Sequence, residues 1–414
     1  MTAAVVTGLG VMAPNGLDVA SFWANTRAGR SGLARITRFD PESYPSRIAG
    51  EIRDFHAADH LPSRLLPQTD HMTRLSLVAA DRALADAAVD PALMPEYDMG
   101  VVTASSAGGF EFGHRELHKL WGQGPEYVSA YQSFAWFYAV NTGQISIRHG
   151  MRGPSGVLVS EQAGGLDAIA SARRHVRDGT PLVVTGAVDG SSCPWGWVAQ
   201  MSNGRISRAD DPRRAYLPFD AAACGYVPGE GGAILILESA EAAAARGRAG
   251  GYGTIAGYAA TFDPAPGSQR PPTLRRAIEL ALDDAGLPAS AIDVVFADAA
   301  GVAELDAVEA EAVRAVFGPC GVPVTAPKTM TGRLAAGGAA LDVATALLAL
   351  ADGLIPPTVN VAAAAAEYEL DLVLDARPAP LTHALVLARG HGGFNAAMVA
   401  SRPAANAEEQ ENRS

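Results

Sequence analysis

The chain has 414 residues, of which 48% are hydrophobic and 18% are charged, and it carries a formal net charge of −12. This length exceeds that of one ordinary hydrophobic core, so it predicts two domains or one fold built twice. The negative charge excludes nucleic acid as a favourable partner, because the phosphates would be repelled, and no apolar run reaches the ~18 residues of a membrane-spanning helix.

The cysteines and the first residues of the chain bear on its location. Cys193, Cys224 and Cys320 lack the spacing of metal ligands, so we predict no metal site and a reducing, cytoplasmic environment. The N-terminus leads into an apolar strand pattern without a basic region, so no signal peptide is expected.

The first predicted element is a buried strand over residues 3–13. From Gly8 it contains the pattern Gly-x-Gly-x-x-Ala, which is similar to a dinucleotide-binding fingerprint. Pro14, Asn15 and Gly16 follow at the point where that fingerprint requires a helix to begin under the pyrophosphate. We therefore interpret the segment as a strand that ends in a turn, not as a nucleotide site.

Helical and strand patterns alternate along the chain. Helices are predicted from residue 70 to before Pro91 and over residues 274–285, and short buried strands over residues 99–104 and 294–297. Such alternation predicts a mostly parallel sheet with helices on both faces.

Two parts of the chain repeat one pattern. The helix predicted after the Gly-Gly pair at 164–165 ends at an Asp-Gly step, and the helix after the Gly-Gly pair at 337–338 ends in the same way. The repetition predicts one fold built twice, with an N-terminal half of residues 1–248 and a C-terminal half of residues 249–401. The polar residues 402–414 are expected to form a disordered tail.

A helix predicted over residues 110–121 carries a possible functional face. Phe110, Gly113 and Leu117 are three and four positions apart, so their side chains lie on the same side of the helix. Downstream, residues 134–138 form a dense aromatic cluster. Such a cluster is typical of a subunit interface and equally of a protein core.

The most informative stretch is residues 157–169. Four residues of strand character run into a turn of small residues, and Leu166 and Ile169 then recur at helical spacing. A side chain at such a turn lies over free backbone N–H groups, where enzymes place a nucleophile. Here that side chain is Gln162, whose carboxamide has no ionisable proton near neutral pH and cannot attack a thioester.

The segment 153–169 resembles the nucleophile elbow of the β-ketoacyl synthases, condensing enzymes of the thiolase fold, in which the position of Gln162 holds the catalytic Cys. The glutamine within Ser-Glu-Gln-Ala-Gly-Gly-Leu-Asp, from residue 160, resembles one branch in particular, the chain-length factors of type II aromatic polyketide synthases. The resemblance covers about residues 3–400. It implies a duplicated α/β thiolase fold with five layers, α/β/α/β/α.

The resemblance also implies that the rest of the condensing site is missing. Asp298 stands where the family has its first catalytic His, and Arg333 stands where it has the second, while Lys328 of the second motif is retained. An anion at the first position would repel a developing enolate, and a permanently protonated Arg cannot exchange a proton. We hypothesise that Asp298 and Arg333 form an ion pair that fills the vacated pocket.

Two other residues are candidates to replace the missing groups. His391 lies in a glycine-rich loop and could serve as a base, but a lone His in such a loop is more often structural. Ser160 is the hydroxyl nearest to Gln162 in the chain, but it would fall at the end of the strand. We therefore predict no functioning condensing site.

The resemblance gives a role to the helix at residues 110–121. In chain-length factors the face that matches Phe110, Gly113 and Leu117 points into a tunnel at the subunit interface, where bulky residues stop the growing chain. Trp195 matches a further residue of the tunnel wall. Because neighbours in a close-packed wall are not expected to refill the volume missing at Gly113, we predict a longer tunnel than in short-chain homologues. Ordinary helix packing is the alternative.

As a whole, the resemblance implies a chain-length factor. Such a subunit forms a heterodimer with a ketosynthase alpha subunit that carries the catalytic Cys, shapes the tunnel and sets the length of the poly-β-ketone. It needs no cofactor of its own, since the phosphopantetheine arm arrives on an acyl carrier protein. A role for Gln162 in decarboxylation of the malonyl carrier is a further hypothesis. The alternatives are an independent condensing or thioester-processing enzyme with an unusual nucleophile, and a purely structural partner.

An acidic carrier protein requires a basic surface, which the net charge of this chain does not supply as a whole. Two local clusters are available, one on the helix after residue 165 and one in a later loop: Arg173, Arg174 and Arg177, and Arg205, Arg208, Arg213 and Arg214. The alternative is a solvated charged surface with little effect on binding.

Overall fold

The computed structural model describes residues 2–106 and 108–403. Its strands are β1 (Ala4–Met12), β2 (Leu33–Arg35), β3 (Ile48–Gly50), β4 (Met99–Ala104), β5 (Ser155–Leu158), β6 (Leu182–Asp189), β7 (Gly231–Ser239), β8 (Gly253–Phe262), β9 (Val294–Phe296), β10 (Pro323–Thr325), β11 (Leu354–Ile355), β12 (Asp371–Leu372), β13 (Arg377–Pro378), β14 (His383–Gly390) and β15 (Phe394–Ser401).

The α-helices lie between these strands and connect them. They are α1 (Val19–Arg27), α2 (His71–Asp86), α3 (Phe110–Gly122), α4 (Gln132–Ala135), α5 (Val140–His149), α6 (Gly164–Arg177), α7 (Pro194–Met201), α8 (Ala240–Ala245), α9 (Leu274–Ala285), α10 (Ala303–Phe317) and α11 (Ala336–Asp352).

Within the described residues, eleven strands form one sheet in the order β12-β10-β9-β14-β15-β8-β1-β7-β6-β4-β5. Five of its ten pairings are parallel and five are antiparallel, so the prediction of a mostly parallel sheet is wrong. From β1 to β5, two antiparallel pairings are followed by two parallel pairings. From β8 to β10 the same succession of pairings is repeated. The two halves meet where Val5 and Val6 of β1 pair with Thr254 and Gly253 of β8. The chain thus builds the same unit twice, as the repeated sequence pattern predicted.

Helices cover both faces of each half. Helices α6 and α11 lie between the two halves of the sheet, in a core that includes Leu166, Ile169 and Leu347. Helix α2 packs on the outer face of the N-terminal half, and α9 packs on the outer face of the C-terminal half. The resulting order of helix, sheet, helix, sheet and helix confirms the predicted five-layered α/β/α/β/α architecture.

Most predicted elements lie where the sequence placed them. Strand β4 and helix α9 have the predicted bounds, and Asp70 caps the first turn of α2. The strand before the elbow ends two residues earlier than predicted, because its ladder with β4 ends at the pair of Ala104 with Leu158. The prediction that Ser160 lies at the strand end is therefore wrong, since the strand has already ended two residues earlier.

Three further predictions concern the ends and the division of the chain. The proposed division after residue 248 falls in the turn between α8 and β8, and the division itself stays a prediction. Of the predicted disordered tail, residues 404–414 lie outside the described residues. Within residues 2–106 and 108–403, no helix has both the length and the apolar character needed to cross a membrane.

Candidate functional site

The elbow between β5 and α6 is a strained turn. Glu161 has a φ of 51°, in the left-handed region that non-glycine residues rarely adopt. Its carboxylate accepts a hydrogen bond from the backbone N–H of His391 at 2.8 Å, which ties the turn to the loop between β14 and β15. Residues Glu161–Ala163 form a single 3₁₀ turn, and α6 begins only at Gly164. Gln162 therefore lies one turn before the helix and not within its first turn.

Gln162 is completely buried, with 0% of its surface exposed. Its carboxamide packs against Gly338 at the start of α11, where a Cβ atom would overlap the side-chain nitrogen. Among the described residues, neither Oε1 nor Nε2 has a hydrogen-bond partner. A carboxamide can donate and accept hydrogen bonds but has no lone pair available for attack on a thioester. The elbow thus has the geometry for a nucleophile and lacks the nucleophile.

Asp298 and Arg333 form the ion pair that the sequence predicted. The two side chains meet at two points, with an Nη1–Oδ2 distance of 3.0 Å and an Nη2–Oδ1 distance of 3.1 Å, and both residues are buried. Backbone groups complete the contacts: Arg333 donates to the carbonyl oxygen of Arg389 at 3.1 Å, and Arg389 N–H donates to Asp298 Oδ1 at 2.9 Å. The Tyr226 ring lies over the guanidinium, with its centroid 5.5 Å from Cζ.

The two charges of this pair stabilise each other. Burial by itself raises the pKa of Asp298, but the charges of Arg333 and Lys328 outweigh it and hold this pKa below its ordinary value. Burial by itself lowers the pKa of Arg333, but Asp298 outweighs it and holds this pKa well above its ordinary value. Both groups therefore stay charged at any working pH, and neither can serve as a proton carrier.

Lys328 is committed to structural contacts. Its Nζ donates to the carbonyl oxygens of Ala297 at 2.7 Å and Asp298 at 3.0 Å, and it lies 2.8 Å from Asp342 Oδ2. Two donors of the ammonium group thus bind backbone carbonyls, and its charge is paired with the buried carboxylate of Asp342. The retained lysine therefore supports the backbone of the loop that carries Asp298.

Two carboxyl groups on α10 were not predicted from the sequence. Glu309 accepts the backbone N–H groups of Asp298 at 2.6 Å and Ala299 at 2.8 Å, and burial followed by the charge of Asp298 raises its pKa to about 7. Asp306 accepts those of Phe219 and Gly301, both at 2.9 Å, and burial raises its pKa to about 6. In the sequence, the signal for this role was the spacing of the two carboxyl residues, which are three positions apart on one helix. They hold the loop that carries Asp298.

The ion pair borders an open cleft with a volume of about 350 Å³, but Gln162 does not. The cleft is lined by Asp298, Arg333, Arg389 and, at the rim, Arg205 and His391. Asp298 and Arg333 are thus brought together at the cleft, whereas Gln162 and Lys328 are not part of its lining. The ion pair thus occupies the positions where the resemblance implies two histidines. Gln162 is not accessible from the cleft.

Neither candidate replacement group is equipped for catalysis. Ser160 donates its hydroxyl hydrogen to Asp167, whose other carboxylate oxygen accepts the hydroxyl of Tyr258 at 2.6 Å. Ser160 is therefore held as a donor in a structural network without a histidine base. His391 is exposed at the rim of the cleft, and its Nδ1 lies 3.5 Å from a guanidinium nitrogen of Arg205.

Three of the four predicted wall residues lie together. The rings of Phe110 and Trp195 are tilted against each other with centroids 4.5 Å apart, and Trp195 Cζ3 lies 3.3 Å from the point where a Cβ of Gly113 would be. The indole therefore covers the glycine. The premise that no neighbour refills the volume missing at Gly113 is therefore wrong, and the longer tunnel inferred from it stays a prediction. Leu117 lies one turn further along α3 and is half-buried.

The aromatic segment at residues 134–138 is not a core cluster. Trp136, Phe137 and Tyr138 expose 48%, 38% and 39% of their surface. They lie beside α3, since the carbonyl oxygen of Trp136 accepts the N–H of Gly109 at 3.0 Å. Exposed aromatic side chains in contiguous positions are typical of an interaction surface.

The two basic clusters differ in their surroundings. Arg173 is buried and donates to Asp284 at 2.5 Å, so it is not available to a partner. In the loop cluster, Arg208, Arg213 and Arg214 are exposed. The loop cluster is therefore the more accessible positive surface.

Comparisons with known proteins bear directly on this site. Residues 1–243 match the family model "Beta-ketoacyl synthase, N-terminal domain", and residues 252–362 match "Beta-ketoacyl synthase, C-terminal domain". The tetracenomycin polyketide synthase ketoacyl synthase beta subunit of Streptomyces glaucescens is 61% identical over 400 residues, covering 96% of this chain and 98% of that protein.

Two solved structures have the same fold. One is a type II polyketide synthase acyl-carrier protein in complex with its ketosynthase bound to the hexaketide, with 26% identity and a TM-score of 0.87 over 97% of this chain and 99% of that chain. The other is the ishigamide ketosynthase/chain length factor, with the same identity, TM-score and coverage.

Proposed function

The chain belongs to the β-ketoacyl synthase family, among the ketosynthase beta subunits of type II polyketide synthases, and from this membership we propose that it acts as a chain-length factor in a heterodimer with an active ketosynthase. The observation that carries the proposal is the state of the condensing site. A buried carboxamide occupies the elbow, and the Asp298–Arg333 ion pair fills the positions of the two histidines.

The chemistry of condensation explains why this site cannot perform it. Transfer of an acyl chain requires a nucleophile at the elbow, and decarboxylative attack requires donors that stabilise the developing oxyanion. Gln162 cannot form the thioester bond, and the carboxylate of Asp298 already accepts a hydrogen bond from each of the two Nη atoms of Arg333. In the heterodimer, the catalytic Cys of the ketosynthase holds the growing acyl chain as a thioester until the enolate of the malonyl unit attacks it and displaces the thiolate, and this chain contributes shape and binding surface.

We assign the surface for the ketosynthase to the edge strand β5 and to the exposed aromatic residues at 136–138. Strand β5 ends the sheet order, so its outer backbone groups are available to pair with a strand of another chain. Val159, just after this strand, exposes 48% of its surface, and Trp136 exposes as much. Apolar groups next to an open strand edge suit a large, stable interface better than contact with water.

The tunnel wall is formed in this proposal by the face of α3 together with Trp195. Phe110 and Trp195 form a continuous aromatic surface, and Leu117 extends it along the helix. A polyketide chain that grows against such a wall stops when its next two-carbon unit cannot be accommodated, because close-packed side chains yield little volume. The wall would thus set the length of the poly-β-ketone.

We assign docking of the acidic acyl carrier protein to the loop cluster. Arg208, Arg213 and Arg214 are exposed, and the nearby carboxylate of Asp210 is paired with Arg47 at 3.1 Å. Complementary charge would speed the encounter with an acidic carrier and orient it. The carrier brings the phosphopantetheine arm, so this chain requires no cofactor of its own. Its three free cysteines suit the cytoplasm.

One experiment separates this function from that of a purely structural partner. A synthase is reconstituted from the ketosynthase, this chain and malonyl-loaded carrier, and the same ketosynthase is then paired with a different chain-length factor. A product length that follows the exchanged subunit, measured by liquid chromatography with mass spectrometry, supports the proposal. An unchanged length would instead identify a purely structural partner.

A separate experiment tests the alternative that the chain is an independent enzyme. The isolated chain is incubated with an acyl thioester, and its intact mass is measured. We expect no covalent adduct, because no accessible nucleophile lies at the elbow. An acyl group located at the elbow by peptide mapping, and not on the exposed Cys224 or Cys320, would overturn the proposal in favour of a condensing or thioester-processing enzyme.

A further inference from the structure

The proposed gate helix α3 is only partly held by packing. Its buried residues are Phe112, Gly113 and Glu116. On its other side, Glu111 and His114 line a cleft of about 620 Å³. A helix that is packed on one side and borders a cleft on the other depends on polar contacts for its position.

Polar contacts hold the gate helix at its middle and at its N-terminal end. In the middle, the buried carboxylate of Glu116 accepts the backbone N–H of Ser129 at 2.6 Å. At its N-terminal end, the helix has no cap of its own, because the N-cap residue is Gly109, which has no side chain.

Asp70 supplies the missing cap from a neighbouring helix. Its Oδ1 accepts the N–H of Met72 at 2.9 Å and so caps its own helix, α2. Its Oδ2 accepts the N–H of Phe112, in the first turn of α3, at 2.7 Å. The side chain is 2% exposed, and its pKa is raised by burial and by the nearby charge of Glu111. One buried carboxyl group thus joins the first turns of two helices.

The two helix starts are in close contact at this point. A Cβ atom on Gly109 would lie 3.0 Å from Asp70 Cβ and would overlap the carbonyl oxygen of Ala135. The start of α3 is therefore clamped between α2 and the aromatic segment. Phe110 and Gly113 belong to the first turn held by this clamp, so the position of the wall follows from it.

We propose that Asp70 is a positioning residue that fixes the first turn of the gate helix against α2 and thereby restricts the synthase to one product length. The inference rests on the proposed function, since it assumes that the face of α3 forms the tunnel wall. Without the carboxylate, the buried N–H of Phe112 loses its acceptor, and the first turn gains freedom to shift. The Phe110 ring would then move relative to Trp195, and the wall would stop the chain at more than one length.

Asp70→Ser separates the two contacts of the carboxylate. Serine is a favourable N-cap residue and can retain the cap of α2, but its shorter side chain does not reach Phe112 N–H. In the reconstituted heterodimer we expect a melting temperature close to that of the wild type. We expect the proportion of products that are longer or shorter than the main product to rise by about threefold or more.

Two further variants make the test specific. Asp70→Asn has one acceptor oxygen for two N–H groups, so we expect the same broadening, and it replaces Asp70→Ser if that variant does not fold. Asp18→Ala removes the side-chain cap of α1, where the exposed Asp18 accepts Ser21 N–H at 2.8 Å and contacts no wall helix. This control is expected to lower the melting temperature without a change in the product distribution, because α1 does not carry wall residues.

The outcomes distinguish this inference from the function on which it rests. If Phe110→Ala alters product length while both Asp70 variants retain the wild-type distribution, the face of α3 does set product length, and the positioning role of Asp70 is refuted. If neither Phe110→Ala nor the Asp70 variants alter the distribution, the wall does not set length, and both proposals fail. A broadened distribution in the Asp18→Ala control as well would show a general effect of lost stability and would also overturn the role of Asp70.

Discussion

Arg333 and Asp298 are joined at two points inside the protein, at 3.0 Å and 3.1 Å, in the positions where active β-ketoacyl synthases are expected to hold two histidines. A substitution at either position alone would have left an unpaired buried charge, which is costly. The fold therefore tolerates Asp298 and Arg333 at these positions only when both are present. The pair explains how a condensing site can be closed without loss of the surrounding structure.

Removal of one partner of this pair is expected to destabilise the chain more than removal of both. Arg333→Met leaves Asp298 charged and buried, at a cost of about 3–5 kcal/mol in the free energy of unfolding. Arg333→Met combined with Asp298→Asn leaves no charge and keeps an acceptor for Arg389 N–H, so part of that loss should be regained. Denaturant unfolding of the heterodimer measures both.

An exposed pair provides the control for this comparison. Arg27 and Asp352 lie 3.1 Å apart with about two-fifths of each side chain exposed, and Arg27→Met is expected to cost less than ~1 kcal/mol. Equal losses in the single and the double Arg333 variants would show that the pair is not coupled.

The stability of the fold should fall as the pH rises towards neutrality, and Glu309 should account for part of the change. Its pKa is raised from 4.5 to about 7 in the folded chain, so its protonated form favours folding. This contribution is complete below pH ~4.5 and is lost as the pH rises through about 7, with an upper limit on the order of 3 kcal/mol. Glu309→Gln should have a smaller decline of the free energy of unfolding between pH 5 and about 7.5. A variant with the same decline as the wild type would assign the effect to other groups.

The sequence predicted those parts of the structure that depend on local sequence patterns and motifs. Alternating helices and strands predicted the layers, and the two motif substitutions predicted the pairing of Asp298 with Arg333. It did not predict the support by Glu309, because the orientation of α10 towards the loop at residues 298–299 depends on tertiary packing.

The error at Gly113 has the same physical origin. The missing side chain is visible in the sequence, but the indole that covers it comes from α7, which is distant along the chain. Helix packing brings Trp195 onto Gly113, and no local periodicity encodes such a contact. Likewise, the sequence placed Gln162 at the elbow but did not show that its carboxamide is fully enclosed.

Gln162→Ala is expected to leave malonyl-carrier decarboxylation unchanged. The carboxamide is completely buried and does not line the cleft, so it cannot contact a thioester from that side. The assay compares wild type and variant, each in a heterodimer whose ketosynthase Cys has been replaced, and measures carbon dioxide release. A clear loss of rate in the variant would restore a catalytic role for Gln162.

Gln162→Cys is expected not to create a condensing enzyme. A thiol at the elbow restores the nucleophile, but Asp298 and Arg333 still occupy the positions of the histidines. Without donors for the oxyanion, loss in rate of roughly 100-fold or more per missing group is expected. Incubation of the isolated variant with malonyl-loaded carrier, followed by mass spectrometry of the carrier, should show no chain extension. Extended chains would show that the ion pair does not block the site.

Charge reversal in the loop cluster is expected to weaken carrier binding. Arg208→Glu combined with Arg213→Glu and Arg214→Glu replaces three exposed positive charges and should raise the dissociation constant about tenfold at low salt, with a smaller effect at high salt. Fluorescence anisotropy of labelled carrier protein with the heterodimer measures this. The matched control is Arg174→Glu on α6, an exposed residue of the other cluster, which should change affinity little. The opposite ranking would place the carrier on α6.

Trp195→Ala is expected to lengthen the polyketide. The indole covers Gly113 at 3.3 Å and packs against Phe110, so its removal opens the wall where the growing chain ends. We expect the main product to gain at least one two-carbon unit, as measured by liquid chromatography with mass spectrometry. Trp121→Ala removes the same side chain from the exposed end of α3, where 83% of it faces solvent, and should leave product length unchanged. If Trp195→Ala yields only the wild-type product, the ring does not bound the tunnel, and the wall must lie elsewhere on the chain.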